Sequence, residues 1–286
     1  MSSANSAPTV SGSVYTFTFG DTQFVVDAAK AGRIVSFSLA GKNILTAPKN
    51  SEDNNWGSTF WTSPQSDWNW PPPAAIDPGP HSGRIVGDAL VVESAVAANL
   101  GLAVSKTVSV DASKGMVAID YGIANKGALA RKVAPWEISR VATGGLTFFP
   151  MGGGKPWKGM QELMPLELQD GIAWFAAPMG PVGNDQKVFA DGREGWIAHV
   201  DGDLLLVKAF ADTIPAQAAP GESEVELYTD PGRTYVEVEN QGAYVNLEPG
   251  KASSWPVRWF LRKLDSRIKV QPGSGDLLAV VRGLFG

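Results

Sequence analysis

The sequence predicts an all-β protein, a single large antiparallel β-sandwich with a short C-terminal helix. Three observations carry that reading. The composition is rich in turn formers and aromatics, with 32 Gly, 20 Pro and 10 Trp in 286 residues and only 19% charged, unlike a helical chain. Long alternating runs follow one another across short turns, a spacing that suits an antiparallel sheet better than a parallel α/β one. No internal repeat or heptad interrupts the pattern. One domain over 13–286, after a flexible N-terminal segment 1–12, is the economical division.

The elements follow in order. Strands are predicted at Val14–Phe19, Thr22–Asp27, Arg33–Ala40 and Lys42–Leu45, divided by the turn signals Gly20-Asp21 and Ala31-Gly32. From Asn54 to Pro80 the strand pattern stops. Trp56, Trp61, Trp68 and Trp70 stand there among prolines, asparagines and an aspartate. A long unpatterned segment in a compact domain is usually functional or disordered, and disordered segments are poor in tryptophan. It therefore reads as an ordered loop. The loop could simply be stapled down by its indoles. Alternatively Trp61, Trp68 and Trp70 could stack on the apolar faces of pyranose rings, while Gln65, Asp67 and Asn69 bond hydroxyls.

Strands resume at Arg84–Glu93, Leu102–Val110, Met116–Asn125 and Arg131–Val141. The Gly-rich stretch Gly144–Gly159 lacks the spacing and following helix of a phosphate-binding loop; its glycines permit positive φ and close backbone approach. Strands at Gly195–Val200 and Asp203–Ala211 come next, the second with Lys208 in an otherwise apolar run. A lysine there needs an anion, and Glu226, Glu237 and Glu239 are candidates. The tail Asp276–Phe285 reads as a helix capped by Ser274.

Two strands near the C-terminus matter most. In Glu224–Tyr228, period-two alternation puts Glu226 and Tyr228 on one face and Val225 and Leu227 on the other. In Tyr235–Glu239 it puts Tyr235, Glu237 and Glu239 opposite Val236 and Val238. A solvated outer face is the commoner reading of alternating Glu. Two successive strands with the same pattern, then a Leu247-Glu248-Pro249-Gly250 turn and the aromatic strand Trp255–Leu261, point instead to a lined cleft. Glu237 and Glu239 would repel each other unless a cation lay between them or one carboxyl were held protonated. Arg140 and Lys208, each in an apolar strand, are the candidate cations. Arg140 also offers a planar fork to a sugar carboxylate, so an acidic sugar is one expected ligand.

Charge and composition exclude several function classes. A net charge of −5 argues against nucleic acid or an anionic membrane surface as partner. The absence of Cys removes disulfides, thiolate metal sites and a cysteine nucleophile. With two His, a His-rich zinc site is not expected, so no metal and no cofactor are assigned. No apolar run approaches membrane-spanning length. The small, polar start (Met1 to Ser13) suits a mature exported chain, periplasmic or secreted; a cytoplasmic start is the other reading. Oligomeric state is open.

Three stretches resemble the galactose mutarotase (aldose 1-epimerase) superfamily. They are Gly32-Arg33-Ile34-x-Ser36-Phe37-x-Leu39-x-Gly41-x-Asn43-Ile44-Leu45, Glu239-Asn240-Gln241 with the LEPG turn, and Asn125 leading into Pro135-Trp136-Glu137-Ile138-Ser139-Arg140. The last, with Trp61-x-x-Pro64-Gln65, is closer to a bacterial branch of the superfamily than to true galactose mutarotases. The resemblance implies a galactose mutarotase-like β-supersandwich, a mono- or oligosaccharide ligand and Glu239 as general base. The superfamily's general-acid His has no counterpart among residues 133–140. Since anomer conversion needs both an acid and a base, either another group, His81, His199 or Glu137 among the candidates, is the acid, or the reaction is not run here. Glu137 paired with Glu239 would instead resemble a glycosidase. Trp136, Arg140, Lys208, Tyr228, Tyr235 and Glu237 complete the expected binding set. Three functions follow as expectations: an aldose 1-epimerase-like isomerase, a non-catalytic carbohydrate-binding protein, or a glycan hydrolase or lyase using paired carboxylates.

Overall fold

The computed structural model describes residues 7–50, 53–181 and 183–285. Its strands form two large sheets. The twelve-stranded sheet runs Thr9–Ser11, Val14–Phe19, Thr22–Asp27, Arg33–Leu39, Ser58–Ser63, Arg131–Val141, Val236–Gln241, Val225–Thr229, Gln186–Ala190, Glu162–Leu163; Lys42–Asn43 pairs with Arg33–Leu39 and Val245–Leu247 with Arg131–Val141. The ten-stranded sheet runs Glu167–Gln169, Ile172–Ala176, Leu146–Pro150, Trp196–Asp201, Leu204–Ala209, Ala252–Lys263, Met116–Asn125, Leu102–Asp111, Ala89–Glu93, Ser82–Val86. Pairing is antiparallel except between Glu162–Leu163 and Gln186–Ala190. This is the expected all-β sandwich.

The core lies between the sheets. Phe24 and Phe37 from one sheet meet Trp259 from the other at ring separations of 5.9 and 6.0 Å. Burial alternates along Leu102–Asp111 and Met116–Asn125, which cover the core on one face only. Arg131–Val141 differs, being buried on both faces from Val133 onward. Something covers its outer side. Behind the ten-stranded sheet the C-terminal helix, Gly275–Arg282, packs Leu277 and Val281 against Phe148, Trp196 and Phe260. Its N-terminus is held as expected, by Ser274 Oγ accepting from the Leu277 amide.

Several expectations are corrected in detail. The run Arg84–Glu93 is two strands, turned at Gly87 (φ +59°) and Asp88, because glycine takes the left-handed conformation without strain. The segment from Asn54 is not loop throughout: Ser58–Ser63 is a fully buried strand paired along Arg131–Val141, and Trp61 belongs to it. Its run of β-branched and aromatic residues, Thr59-Phe60-Trp61-Thr62, was the missed signal. Of the N-terminal segment 1–12, residues 1–6 lie outside the described ones, and Thr9–Ser11 pairs with Val14–Phe19. Gly152 makes its close approach to Asp191 and Gly192, part of the protein itself. Among the described residues no helix is long and apolar enough to cross a membrane.

Candidate functional site

Cross-strand register decides which side chains share a face, since directly opposed residues in an antiparallel pair point the same way. Across the twelve-stranded sheet, Trp61 opposes Trp136 and Trp136 opposes Gln241. Ile138 opposes Glu239, which opposes Glu226, which opposes Phe189. Arg140 opposes Glu237, then Tyr228, then Lys187. All these residues lie on the outer face. Glu137, Ser139, Val236, Val238 and Asn240 alternate onto the inner one.

A cleft of about 440 Å³ opens on that outer face. Trp61, Trp70, Trp136, Tyr228, Tyr235, Phe189, Lys187 and Glu237 line it, with Asn55, Gln65, Ser66, Asn69, Gln161, Asp185, Gly221 and Glu222 around the rim. The wall is an indole cluster. Trp61 makes edge-to-face contacts with Trp68, Trp70 and Trp136 at 5.7, 5.8 and 5.4 Å. Trp68 is buried behind the others, its indole nitrogen donating to the Thr62 carbonyl, and Trp70 is 59% exposed.

The floor is ionic. Lys187 Nζ lies 2.7 Å from Glu226 Oε2 and 3.0 and 3.2 Å from the two Glu239 oxygens. It also sits 5.4 Å from the Trp136 ring centre and 5.0 Å from that of Phe189. Burial opposes this charge, but Glu226 and Glu239 outweigh it and raise the ammonium's pKa above the ordinary value. Trp136 Nε1 donates to Glu239 at 2.8 Å, and Gln241 and the Ser223 amide donate to Glu226. Glu239 has no exposed surface and does not line the cleft. Of the two carboxylates on this strand it is Glu237 that does, held at 2.8 Å by Arg140 Nε. Burial raises the Glu237 pKa while Arg140 opposes the rise. Arg140 in turn lies over Trp61 at 5.5 Å and donates to Thr59. Glu222, partly exposed on the rim, accepts from the Gln65 amide, and burial raises its pKa too. Tyr228 is pushed up to about 12 by burial and Glu237, so its hydroxyl stays protonated.

The structure thus gathers Trp61, Gln65, Trp70, Trp136, Tyr228, Tyr235 and Glu237 at one cleft. Arg140, Trp68 and Glu239 lie immediately behind these residues. It does not bring the remaining three. Glu137 and Lys208 point into the sandwich, where they pair at 2.9 Å. Trp259 donates to Glu137, and Lys208 donates to the Val238 carbonyl and Ser139. Lys208's anion is therefore Glu137, none of the three carboxylates expected from sequence. Glu137 and Glu239 occupy opposite faces and cannot flank one glycosidic bond. His81 is buried against the Ala75 carbonyl, its pKa pushed down to about 4 by burial and by Lys106. His199 is buried in the other sheet beside Thr147, pushed down by burial to about 3. Neither imidazole lines the cleft. Sequence reasoning missed Lys187 and Phe189, although Gln186–Ala190 carries the same signal as the Lys208 strand, a lone lysine among apolar residues. Glu222 gave no signal, since it lies in a turn without period.

No family model matches the chain, and no curated protein matches it. Solved structures do. One from Escherichia coli K12, provisionally named an aldose 1-epimerase, superposes with a TM-score of 0.60 at 13% identity, over 88% of this chain and 99% of the other. A second of provisional aldose 1-epimerase name, from Klebsiella pneumoniae, gives 0.62 at 10% identity, over 97% and 85%. A galactose mutarotase-like protein from Lactobacillus casei gives 0.57 at 11% identity, over 87% and 100%. The chain has the galactose mutarotase-like fold. At these identities the likeness establishes architecture, and function must be argued from the cleft.

Proposed function

We propose that the cleft binds a carbohydrate and interconverts the anomers of a reducing sugar, as an aldose 1-epimerase does. The observation that carries this is one open cleft joining an indole wall to an ion-paired floor. Flat apolar faces suit the C–H faces of pyranose rings, and Gln65, Asn69 and Gln161 suit hydroxyls. The names of the fold's solved neighbours support the same substrate class. Glu237 is the reachable base: Arg140 fixes its orientation, and a raised pKa brings it nearer the operating pH. It would take the anomeric hydroxyl proton while an acid protonates the ring oxygen. The C1–O5 bond then opens, C1 rotates, and the ring closes on the other face. Glu222, also at the cleft and with a raised pKa, is the acid. Glu239 acts as a positioning residue through Lys187 and Trp136.

Both cations at this face are matched, Arg140 by Glu237 and Lys187 by Glu226 and Glu239. That matching favours a neutral sugar over an acidic one, because an added anion would meet an excess of carboxylates. A second reading, sugar binding without catalysis, is favoured by one observation: no imidazole reaches the cleft. Polarimetry on neutral aldoses, beside tryptophan-fluorescence titration, separates the two. Anomer conversion lost in Glu237→Gln supports the isomerase, whereas fluorescence quenching without conversion supports the binding protein. Silence in both assays with every aldose would overturn the carbohydrate reading.

A further inference from the structure

We propose that the ligand is an oligosaccharide, with Trp157 as the platform for a sugar lying outside the cleft proper; this rests on the carbohydrate reading above. The floor does not end at Phe189. Trp157 bridges to it in antiparallel fashion, its N–H donating to the Phe189 carbonyl at 3.0 Å and its carbonyl accepting from the Phe189 N–H at 2.8 Å. The two residues are directly opposed, so Trp157 continues the row Ile138, Glu239, Glu226, Phe189 on the same face. Their rings stack at 4.2 Å and 11°. Phe189 covers one indole face and leaves Trp157 41% exposed.

An indole serving only to staple the Gly-rich loop would bury itself. This one is parallel to the ring beside it and keeps 41% of its surface exposed, room for a pyranose to stack. At the opposite wall Trp70 is 59% exposed. From the strand of Trp61 to Trp157 is five inter-strand steps, on the order of 24 Å along the sheet. That is wider than any single pyranose. Gln161 and Asp185 line the cleft on the Trp157 side, where they can bond the hydroxyls of an intervening sugar.

The test is a binding panel by calorimetry and fluorescence: glucose, xylose, maltotetraose, cellotetraose and xylotetraose, on the parent chain, Trp157→Ala and Trp157→Phe. At least one tetrasaccharide should bind roughly tenfold tighter than its monosaccharide, a difference worth about 1.4 kcal/mol. Trp157→Ala should remove that gain and leave monosaccharide affinity within about twofold, the lost Phe189 stack lowering Tm slightly; Trp157→Phe keeps a stacking ring and should keep most of the gain. Equal affinity for monomer and tetramer, or no effect of Trp157→Ala, overturns the inference while the carbohydrate reading stands. A change of sedimentation in Trp157→Ala without a change in sugar affinity makes the indole a self-association contact and also overturns it. Failure of every sugar to bind removes both.

Discussion

Replacing Lys187 by Met keeps an unbranched apolar stem and deletes the ammonium that Glu226 and Glu239 share. These two carboxylates are opposed on neighbouring strands and have no exposed surface. Opposed side chains have Cβ atoms about 5 Å apart, so two charges there repel by about 3 kcal/mol at an effective dielectric constant near 20. Removing one partner of a buried ion pair costs about 3–5 kcal/mol by the same logic. The donors from Trp136, Gln241 and Ser223 remain and keep the figure near the lower end. We therefore expect a loss of about 3 kcal/mol at pH 8, a large share of a domain's total stability. Burial already raises the Glu226 pKa in the parent, and Lys187 opposes that rise; the variant loses this opposition, so the carboxyl pKa climbs further above its unfolded value. Stability from a raised carboxyl pKa is present at low pH and lost as pH rises through the folded value, so the deficit should shrink toward pH 5. In the parent protein the Lys187 pKa is itself raised, so its contribution persists across this window. Urea denaturation followed by tryptophan fluorescence at pH 5, 6.5 and 8 measures all of this, and Glu226→Gln in the Lys187→Met background should recover part of the loss. A deficit under about 1 kcal/mol at pH 8, or one equal at pH 5 and pH 8, would refute the view that the floor is held by a shared ammonium.

Three further outcomes follow from other sites. Lys106 is buried, donates to the Ala31 and Gly32 carbonyls, and is pushed down by burial to about 7. Because its unfolded pKa is higher, the unfolded chain binds the extra proton between these values, and parent stability should gain on Lys106→Met by about 1.4 kcal/mol per pH unit above pH 7. Urea melts of both proteins at pH 7 and 9 check the sign. Ser274→Ala should cost about 1 kcal/mol through the lost Leu277 cap, read as a lowered Tm without change of fold. Arg140→Ala frees Glu237 from its cation, so neutral-sugar turnover should fall while its pH profile moves to higher pH; an unmoved profile would place Arg140 outside the acid–base chemistry.

The local part of the structure was legible in the residues alone. Met116–Asn125 and Arg131–Val141 were legible to the residue, because period-two alternation and bounding turns are properties of the segment alone. Ser274 announced its helix for the same reason. The alternation that put Tyr228, Tyr235 and Glu237 on one face held as well. Facing is a different matter. Lys208 and Lys187 look alike in sequence, each a lysine in an apolar strand, yet Lys208 pairs with Glu137 inside the sandwich and Lys187 holds the cleft floor. Glu137 stands next to Trp136 and points the opposite way. Ser58–Ser63 was hidden among tryptophans and prolines until its pairing with Arg131–Val141 made it central. Which sheet a strand joins, and which of its faces meets the other sheet, depends on partners far away in the chain. A single segment carries no record of them, so which charges line the site is set by long-range strand pairing.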